Sequence, residues 1–172
     1  MDDELLDLVD GHDRVIGTIN RKDYKQLLQN DDKFIRASNL FILNDDGKLW
    51  TPIRTAHKTI APNGYDYGAG GHVASGDDYL ETIIKEAGEE VNIEIKPEKI
   101  EFVAKTKSPT TRYFATLYLL RTNTTPIFNK SDFVSAEWLS PEELINAINQ
   151  GHAAKSDLLN SVVMLQAYLA DI

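Results

Sequence analysis

Three glutamates stand close together in the middle of the chain, at the spacing of one helical face. From Asp77 onward, apolar residues recur at intervals of three and four, and these are Leu80, Ile83, Ile84, Ala87 and Val91. That period predicts an amphipathic helix that buries the apolar stripe. On this helix Glu86, Glu89 and Glu90 lie within an arc of roughly a hundred degrees. We therefore expect three carboxylates to converge on one spot.

Such an acidic cluster needs compensation, because like charges at these spacings oppose helix formation by roughly 0.2–0.5 kcal/mol per pair. Lys85 can pair with Glu81 or Glu89, but no lysine or arginine stands three or four residues from Glu86 or Glu90. A divalent cation would neutralise the carboxylates, and oxygen ligands favour Mg²⁺, Mn²⁺ or Ca²⁺ over zinc. Mg²⁺ held by a few carboxylates also suits a phosphate-bearing substrate. The alternative is a solvated acidic helix face without metal.

The surrounding residues resemble a family motif, the Nudix box, written G-x5-E-x7-R-E-U-x-E-E-x-G-U with U aliphatic. Residues 71–93 match its spacing throughout, from Gly71 to Ile93. The chain departs from the pattern with Asp77 for Glu, Lys85 for Arg and Asn92 for Gly. Asp keeps the carboxylate and Lys keeps the charge but loses the bidentate fork. Asn is the next-best residue after Gly for a left-handed helix end.

This resemblance implies an activity and a cofactor. In the family, the glycine turn and the helix form a loop-helix-loop that holds a divalent metal on the box glutamates, often with a backbone carbonyl at the first glycine. It therefore implies Mg²⁺, with Mn²⁺ as the alternative ion, on Glu86, Glu89, Glu90 and Gly71, with Lys85 helping to hold the glutamates in place. The implied reaction is hydrolysis of a diphosphate linkage in a nucleoside diphosphate derivative by water attack on phosphorus. In such a reaction the metal ion polarises the phosphoryl group, neutralises charge in the transition state and lowers the pKa of the attacking water. One of the three glutamates would be the general base, and the sequence does not say which.

Three further residues are candidates for contact with the substrate. Family members often carry a basic residue at the end of the strand where Arg54 stands, although a solvated strand-end arginine is the alternative. His72 adjoins the site and could touch the substrate, and a partly exposed loop histidine is the alternative. Asp132 stands six residues before Trp138, and many Nudix proteins place an acidic metal ligand or base at about this distance from a similar tryptophan. Its alternative is a turn aspartate at the start of a strand.

The rest of the chain must position these residues. Strands are expected at residues 34–43, 48–54, 100–107, 112–121 and 133–139, and the first two flank a hairpin turn with Asp-Gly. The glycine-dense residues 68–73 are expected to form a turn. Ser140 followed by Pro141 predicts the start of one helix, and a second begins near Ser156. This order predicts an α/β (α+β) fold, and the resemblance implies an α/β/α sandwich with a mixed central sheet.

The amino-terminal residues widen the resemblance. Residues 4–10 and 14–20 predict a β-hairpin, followed by a short helix over 22–29. The pair resembles the extension of Nudix proteins related to isopentenyl-diphosphate isomerase, which makes isomerase activity an alternative. The chain has no cysteine, and because the type I isomerase of this fold uses a catalytic cysteine, that activity is disfavoured. A third alternative, suggested by the departures in the box, is a non-catalytic module that binds a nucleotide or sugar diphosphate.

Composition sets the remaining expectations. With 172 residues, 42% of them hydrophobic, the chain suits one Nudix domain over 1–172. It divides into an extension (1–33), a core (34–139) that contains the box (71–93), and terminal helices (140–172). The net charge of −9 disfavours binding to nucleic acid polymers or anionic membranes, so the expected partner is a small-molecule diphosphate. Without a signal segment or an apolar run near ~20 residues, we expect a cytoplasmic protein. A homodimer is common in the family, and the oligomeric state is left open.

Overall fold

The computed structural model describes residues 4–29 and 32–171, so residues 1–3, 30–31 and 172 of the predicted terminal segments lie outside it. Its strands are β1 (Leu5–Val9), β2 (Val15–Asn20), β3 (Ile35–Leu43), β4 (Leu49–Arg54), β5 (Ala69–His72), β6 (Ile100–Ser108), β7 (Tyr113–Arg121) and β8 (Phe133–Leu139). Its α-helices are α1 (Tyr79–Val91), α2 (Pro141–Asn149) and α3 (Leu158–Ala170). Two 3₁₀ helices span Arg21–Gln29 and Pro97–Lys99. Within these residues, no helix combines the length and apolarity needed to cross a membrane.

The predicted amino-terminal hairpin is confirmed, and it packs onto the rest of the chain. Strands β1 and β2 pair antiparallel in a sheet of their own. Leu6 is buried with Leu27 and Ile35, so the hairpin and the following 3₁₀ helix share a small core with β3. The Leu5 carbonyl accepts a hydrogen bond from the Ser75 amide at 2.8 Å, which joins β1 to the residues just before α1.

The main sheet has six strands and is mixed. Its order is β6-β7-β3-β4-β8, with β3 and β7 parallel and the other neighbours antiparallel. Strand β4 meets β3 only at Leu49 and Leu43, whereas β5 pairs with β3 over residues 37–40. Strands β4 and β5 thus share one edge of β3, and the glycine strand β5 lies at the centre of the fold.

The prediction of a turn over residues 68–73 was wrong, because residues 69–72 form β5. Glycine has a low strand propensity, so this strand depends on its pairing with β3 rather than on its own composition. The close approach also needs glycine. A Cβ added to Gly70 would lie 2.5 Å from the Asn39 Oδ1 and 3.0 Å from the Ser38 carbonyl oxygen, closer than ordinary contacts permit.

The predicted sandwich is confirmed, with helices covering both faces of the sheet. Because side chains alternate along a strand, Leu40 and Ile42 of β3 pack against the α1 side, and Phe41 and Leu43 pack against the α2 and α3 side. Helix α1 contributes Ile83, Ala87 and Val91 to the first core, and all three are fully buried. Burial of a side chain the size of isoleucine contributes about 1.5–3 kcal/mol, so this stripe fixes which face of α1 meets the sheet.

Candidate active site

Both ends of α1 are fixed by local interactions, which sets the position of its acidic face. Asp78 is the N-cap: its side chain accepts a hydrogen bond from the Glu81 amide at 2.8 Å, and the Glu81 side chain accepts one from the Asp78 amide. This capping box satisfies two amides that the helix itself leaves free. At the other end Asn92 adopts the left-handed conformation, with φ of 52°, and its side chain donates to the Ile127 carbonyl at 2.6 Å.

Glu86 lies directly against the glycine strand. A Cβ added to Gly71 would lie 2.5 Å from the Glu86 Cδ, and nearer still to Oε1. Gly71 therefore leaves the space that the Glu86 carboxyl group occupies. The pKa of Glu86 is raised to about 7, by burial first and then by the negative charges of Glu89 and Glu4, against the lowering by Lys85 and Arg21. Glu4 and Arg21 come from the amino-terminal extension, so that extension reaches the site.

Glu90 is held by the same strand. Its Oε2 accepts a hydrogen bond from the Gly70 amide at 2.9 Å. Burial raises the pKa of Glu90 to about 8, opposed by the Gly70 hydrogen bond and by Lys155, and assisted by the charges of Asp66 and Glu86. Glu86 and Glu90 are thus two partly buried carboxyl groups beside β5, and the charge of Glu86 helps to raise the pKa of Glu90.

The structure brings together two of the three predicted carboxylates. Glu89 is exposed, as is Lys85, and no ion pair of Lys85 is found in the part of the chain that the structure describes. Across residues 4–29 and 32–171, no three acidic or histidine side chains lie close enough together to hold a metal ion. Glu89 acts on Glu86 through its charge, and a shared ligand set would need its side chain to turn inward.

The donor set nevertheless fits Mg²⁺. The ion prefers oxygen ligands and is commonly bound by one or two carboxylates, with water and substrate phosphate at its other positions. Glu86 and Glu90 supply two carboxylates whose raised pKa values reflect burial of negative charge without a matching cation. A divalent ion would offset that cost. These residues can therefore hold the ion, and Glu89 stands at the rim.

His72 is on a strand rather than in a loop. Its Nδ1 is buried and has no hydrogen-bond partner within the described chain, and the Tyr24 ring lies 6.1 Å from the His72 ring, between centroids. The pKa of His72 is lowered to about 4, by burial first and then by the charges of Arg21 and Lys155. The imidazole is therefore neutral at neutral pH.

Arg54 and Asp132 both have ion-pair partners. The Arg54 guanidinium is buried, pairs with Asp66, and donates from Nε to the Ile60 carbonyl at 2.8 Å. Asp132 accepts a hydrogen bond from Lys58 at 2.6 Å. Contact of either residue with substrate remains a prediction.

Two charged residues near the site were missed from the sequence. Asp66 is buried, and its side chain accepts a hydrogen bond from the Tyr67 amide at 2.8 Å. The Lys155 Nζ lies 3.0 Å from the Asp66 Oδ1. Lys155 comes from the connection between α2 and α3, so only the fold brings it to the segment before β5. A family motif confined to residues 71–93 contains no signal for either residue.

Comparison with known proteins supports the resemblance to the Nudix family. The NUDIX domain model matches residues 33–161. A Nudix hydrolase from Deinococcus radiodurans is 40% identical over 162 residues, covering 93% of this chain and 92% of the relative. An uncharacterised Nudix hydrolase from Nostoc sp. is 38% identical over 168 residues, covering 95% and 96%.

Solved structures of Nudix proteins have the same fold. The crystal structure of DR0079 from Deinococcus radiodurans has a TM-score of 0.83 at 41% identity and covers 92% of this chain and 97% of that one. An Ap4A hydrolase from C. elegans, 17% identical with a TM-score of 0.57, covers 79% of this chain and 99% of that one and shows the fold alone. The match over three quarters of the sequence and the two full-length relatives establish that this chain belongs to the Nudix hydrolase family.

Proposed function

We propose that this chain hydrolyses the diphosphate linkage of a nucleoside diphosphate derivative in a reaction that depends on Mg²⁺. The observation that carries the proposal is the pair of partly buried carboxyl groups of Glu86 and Glu90 beside β5, where burial raises both pKa values and the charge of Glu86 raises that of Glu90 further. A bound cation would offset the cost of ionising these carboxyl groups, and the family provides the reaction class. Mn²⁺ is the alternative ion.

Each residue of the site has a part in this proposal. Glu86 and Glu90 hold the ion, with the Gly71 carbonyl as a further ligand and Glu89 at the rim. When bound, the ion would polarise the phosphoryl group and lower the pKa of the attacking water. One of the three glutamates accepts the proton of that water. Lys85 stands where the motif has arginine, and its charge favours ionisation of Glu86.

The first test is phosphate release from a panel of nucleoside diphosphates, sugar nucleotides, dinucleotides and isopentenyl diphosphate, with Mg²⁺, with Mn²⁺ and with chelator. Hydrolysis of any member that chelator abolishes supports the proposal and gives the substrate class. Binding without hydrolysis across the panel would favour the non-catalytic module instead. Isomerisation is disfavoured, since the chain contains no cysteine.

A second test separates the roles of the glutamates. Glu86→Gln, Glu89→Gln and Glu90→Gln are each measured for kcat and for Mg²⁺ affinity by calorimetry. A metal ligand loses Mg²⁺ affinity on this change, whereas the general base loses kcat with Mg²⁺ affinity kept. Removal of a general base typically costs 10²–10⁴-fold. Hydrolysis by Glu86→Gln at the parent rate would contradict both roles for Glu86.

A further inference from the structure

One aspartate is shared by two cations beside the candidate site. The buried Asp66 carboxylate pairs through Oδ2 with Arg54 and through Oδ1, at 3.0 Å, with Lys155. The trio therefore carries one net positive charge, in a protein whose overall net charge is −9. An excess cation at a partly buried position attracts an anionic ligand, because the surrounding low dielectric strengthens the interaction.

The two cations differ in how firmly they are held. The Arg54 side chain is 11% exposed, and it is fixed by Asp66 and by the Ile60 carbonyl. The Lys155 side chain is 22% exposed, and besides Asp66 its ammonium lies 5.6 Å from the centroid of the Tyr67 ring. Lysine is a point charge on a flexible stem, so Lys155 can turn from Asp66 towards a ligand while Arg54 stays in place.

The backbone around Lys155 is rigid, which fixes where its side chain begins. The Lys155 amide donates to the Tyr65 carbonyl at 3.0 Å, and the Tyr65 amide donates to the Ala153 carbonyl at 2.8 Å. Gly64 permits this approach, because a Cβ there would lie 2.9 Å from the Ala153 carbonyl carbon. The segment that carries Lys155 is therefore attached to the chain that leads into β5.

The position of Lys155 relates it to the site. Its charge acts on both Glu90 and His72, so its ammonium lies within electrostatic reach of both side chains. The Nδ1 of His72 is buried and without a hydrogen-bond partner in the described residues. Buried polar atoms rarely lack a hydrogen-bond partner, and a bound ligand with a polar group would supply one.

We propose that Lys155 binds a phosphate group of the substrate beside Glu90, and that Arg54 serves to position Asp66 rather than to contact the substrate. This inference rests on the proposed function, since the ligand class is the diphosphate. In the free protein the Lys155 ammonium pairs with Asp66. When the substrate binds, the phosphate oxygens replace Asp66 as the partner of Lys155. Lys155 is then a substrate-binding residue outside the Nudix box.

Binding of methylenediphosphonate with Mg²⁺, measured by calorimetry, tests this directly. This probe has a P–CH₂–P link in place of the anhydride, so it is not hydrolysed, and it carries no base or sugar. Lys155→Met should weaken its binding by roughly tenfold to a hundredfold, the usual loss for a hydrogen bond to a charged group. Lys155→Arg keeps the charge and should bind within about fivefold of the parent, an allowance for its different geometry.

A matched control separates binding from stability. Lys105 also pairs with an aspartate, Asp13, and lies 4.9 Å from the centroid of a tyrosine ring, that of Tyr79. Lys105→Met therefore removes a similar lysine at a distant position, and its affinity for the probe should stay within about twofold of the parent, inside the usual spread of surface substitutions. Urea unfolding of both variants reports the stability that each lysine contributes.

Asp66→Asn gives a second variant should Lys155→Met fold poorly. It releases Lys155 from its acidic partner, so the probe should bind at least about threefold more tightly, and unchanged or weaker binding would contradict the inference. Affinity of Lys155→Met within twofold of the parent, or no binding of the probe to the parent, would overturn the inference. If the parent hydrolyses a substrate but Lys155→Met binds the probe as well as the parent does, the proposed function stands and the role of Lys155 is contradicted. If binding of the probe depends on Lys155 but no substrate is hydrolysed, only the proposed function is contradicted.

Discussion

Replacement of Gly71 by alanine tests whether Glu86 must lie against β5 for the proposed hydrolysis. The added Cβ would be 2.5 Å from the Glu86 Cδ, where ordinary contacts begin at 3.4 Å. The carboxyl group must therefore move by about 1 Å, and a displacement of that size can cost roughly 10²-fold in rate. We expect Gly71→Ala to lower kcat by about a hundredfold.

The same change should leave the fold intact, which distinguishes a displaced carboxylate from a damaged core. The atoms that the Cβ meets are the end of one flexible side chain, and replacing glycine by alanine in a compatible conformation stabilises a protein by about 0.4–1 kcal/mol. The free energy of unfolding in urea should thus change by less than about 1 kcal/mol.

Gly88→Ala is the matched control within the same motif. Gly88 is exposed on α1, and a Cβ there meets nothing within 4 Å. This variant should keep the parent kcat and gain about 1 kcal/mol from the higher helix propensity of alanine. If Gly71→Ala hydrolysed substrate within threefold of the parent, the position of Glu86 against the glycine strand would not matter to the reaction.

The remaining predictions concern the helix and its charges. Glu86 and Glu90 have pKa values of about 7 and 8 in the folded protein, above the ordinary 4.5. Their contribution to the free energy of unfolding, measured without metal, is therefore greatest below about pH 4.5. It should fall by up to about 1.4 kcal/mol per pH unit for each carboxyl as the pH rises towards 8, and urea unfolding in chelator, with Glu90→Gln as the flatter comparison, measures this. Asn92→Ala should cost about 1–2 kcal/mol because alanine disfavours the left-handed conformation, whereas Asn92→Gly should cost less; parallel urea titrations rank the two. Asp78→Ala should cost about 1 kcal/mol through loss of the N-cap, and an unchanged unfolding midpoint would contradict the capping geometry.

Local patterns predicted the elements that carry their own signal. The apolar stripe of α1, the serine and proline that open α2, and the Asp-Gly turn between β3 and β4 each depend on neighbours a few residues apart. The structure places all three elements where the pattern indicated, with α1 starting at Tyr79. Its predicted start lay near Asp77, and the difference arises because Asp78 serves as the cap.

Features set by tertiary contacts were not available from the sequence. Two of the four residues 69–72 are glycine, and the segment has no strand signal, so its pairing with β3 makes it a strand. Lys155 and Asp66 are far apart in the chain and meet because residues 153–155 lie beside Tyr65. The helical wheel placed three glutamates on one arc, but it had no information about the sheet, which partly buries Glu86 and Glu90 and leaves Glu89 exposed.

The raised pKa values of Glu86 and Glu90 reduce the charge repulsion expected on the acidic face of α1. With a pKa of about 8, Glu90 is mostly protonated at neutral pH, and Glu86, at about 7, is ionised in about half of the molecules. Protons therefore occupy the place that a metal ion would take, and the repulsion expected from the sequence is largely absent. A divalent ion binds the ionised carboxylates, so its binding must release these protons. The burial that raises both pKa values thus lowers metal affinity at acidic pH, because each proton competes directly with the ion.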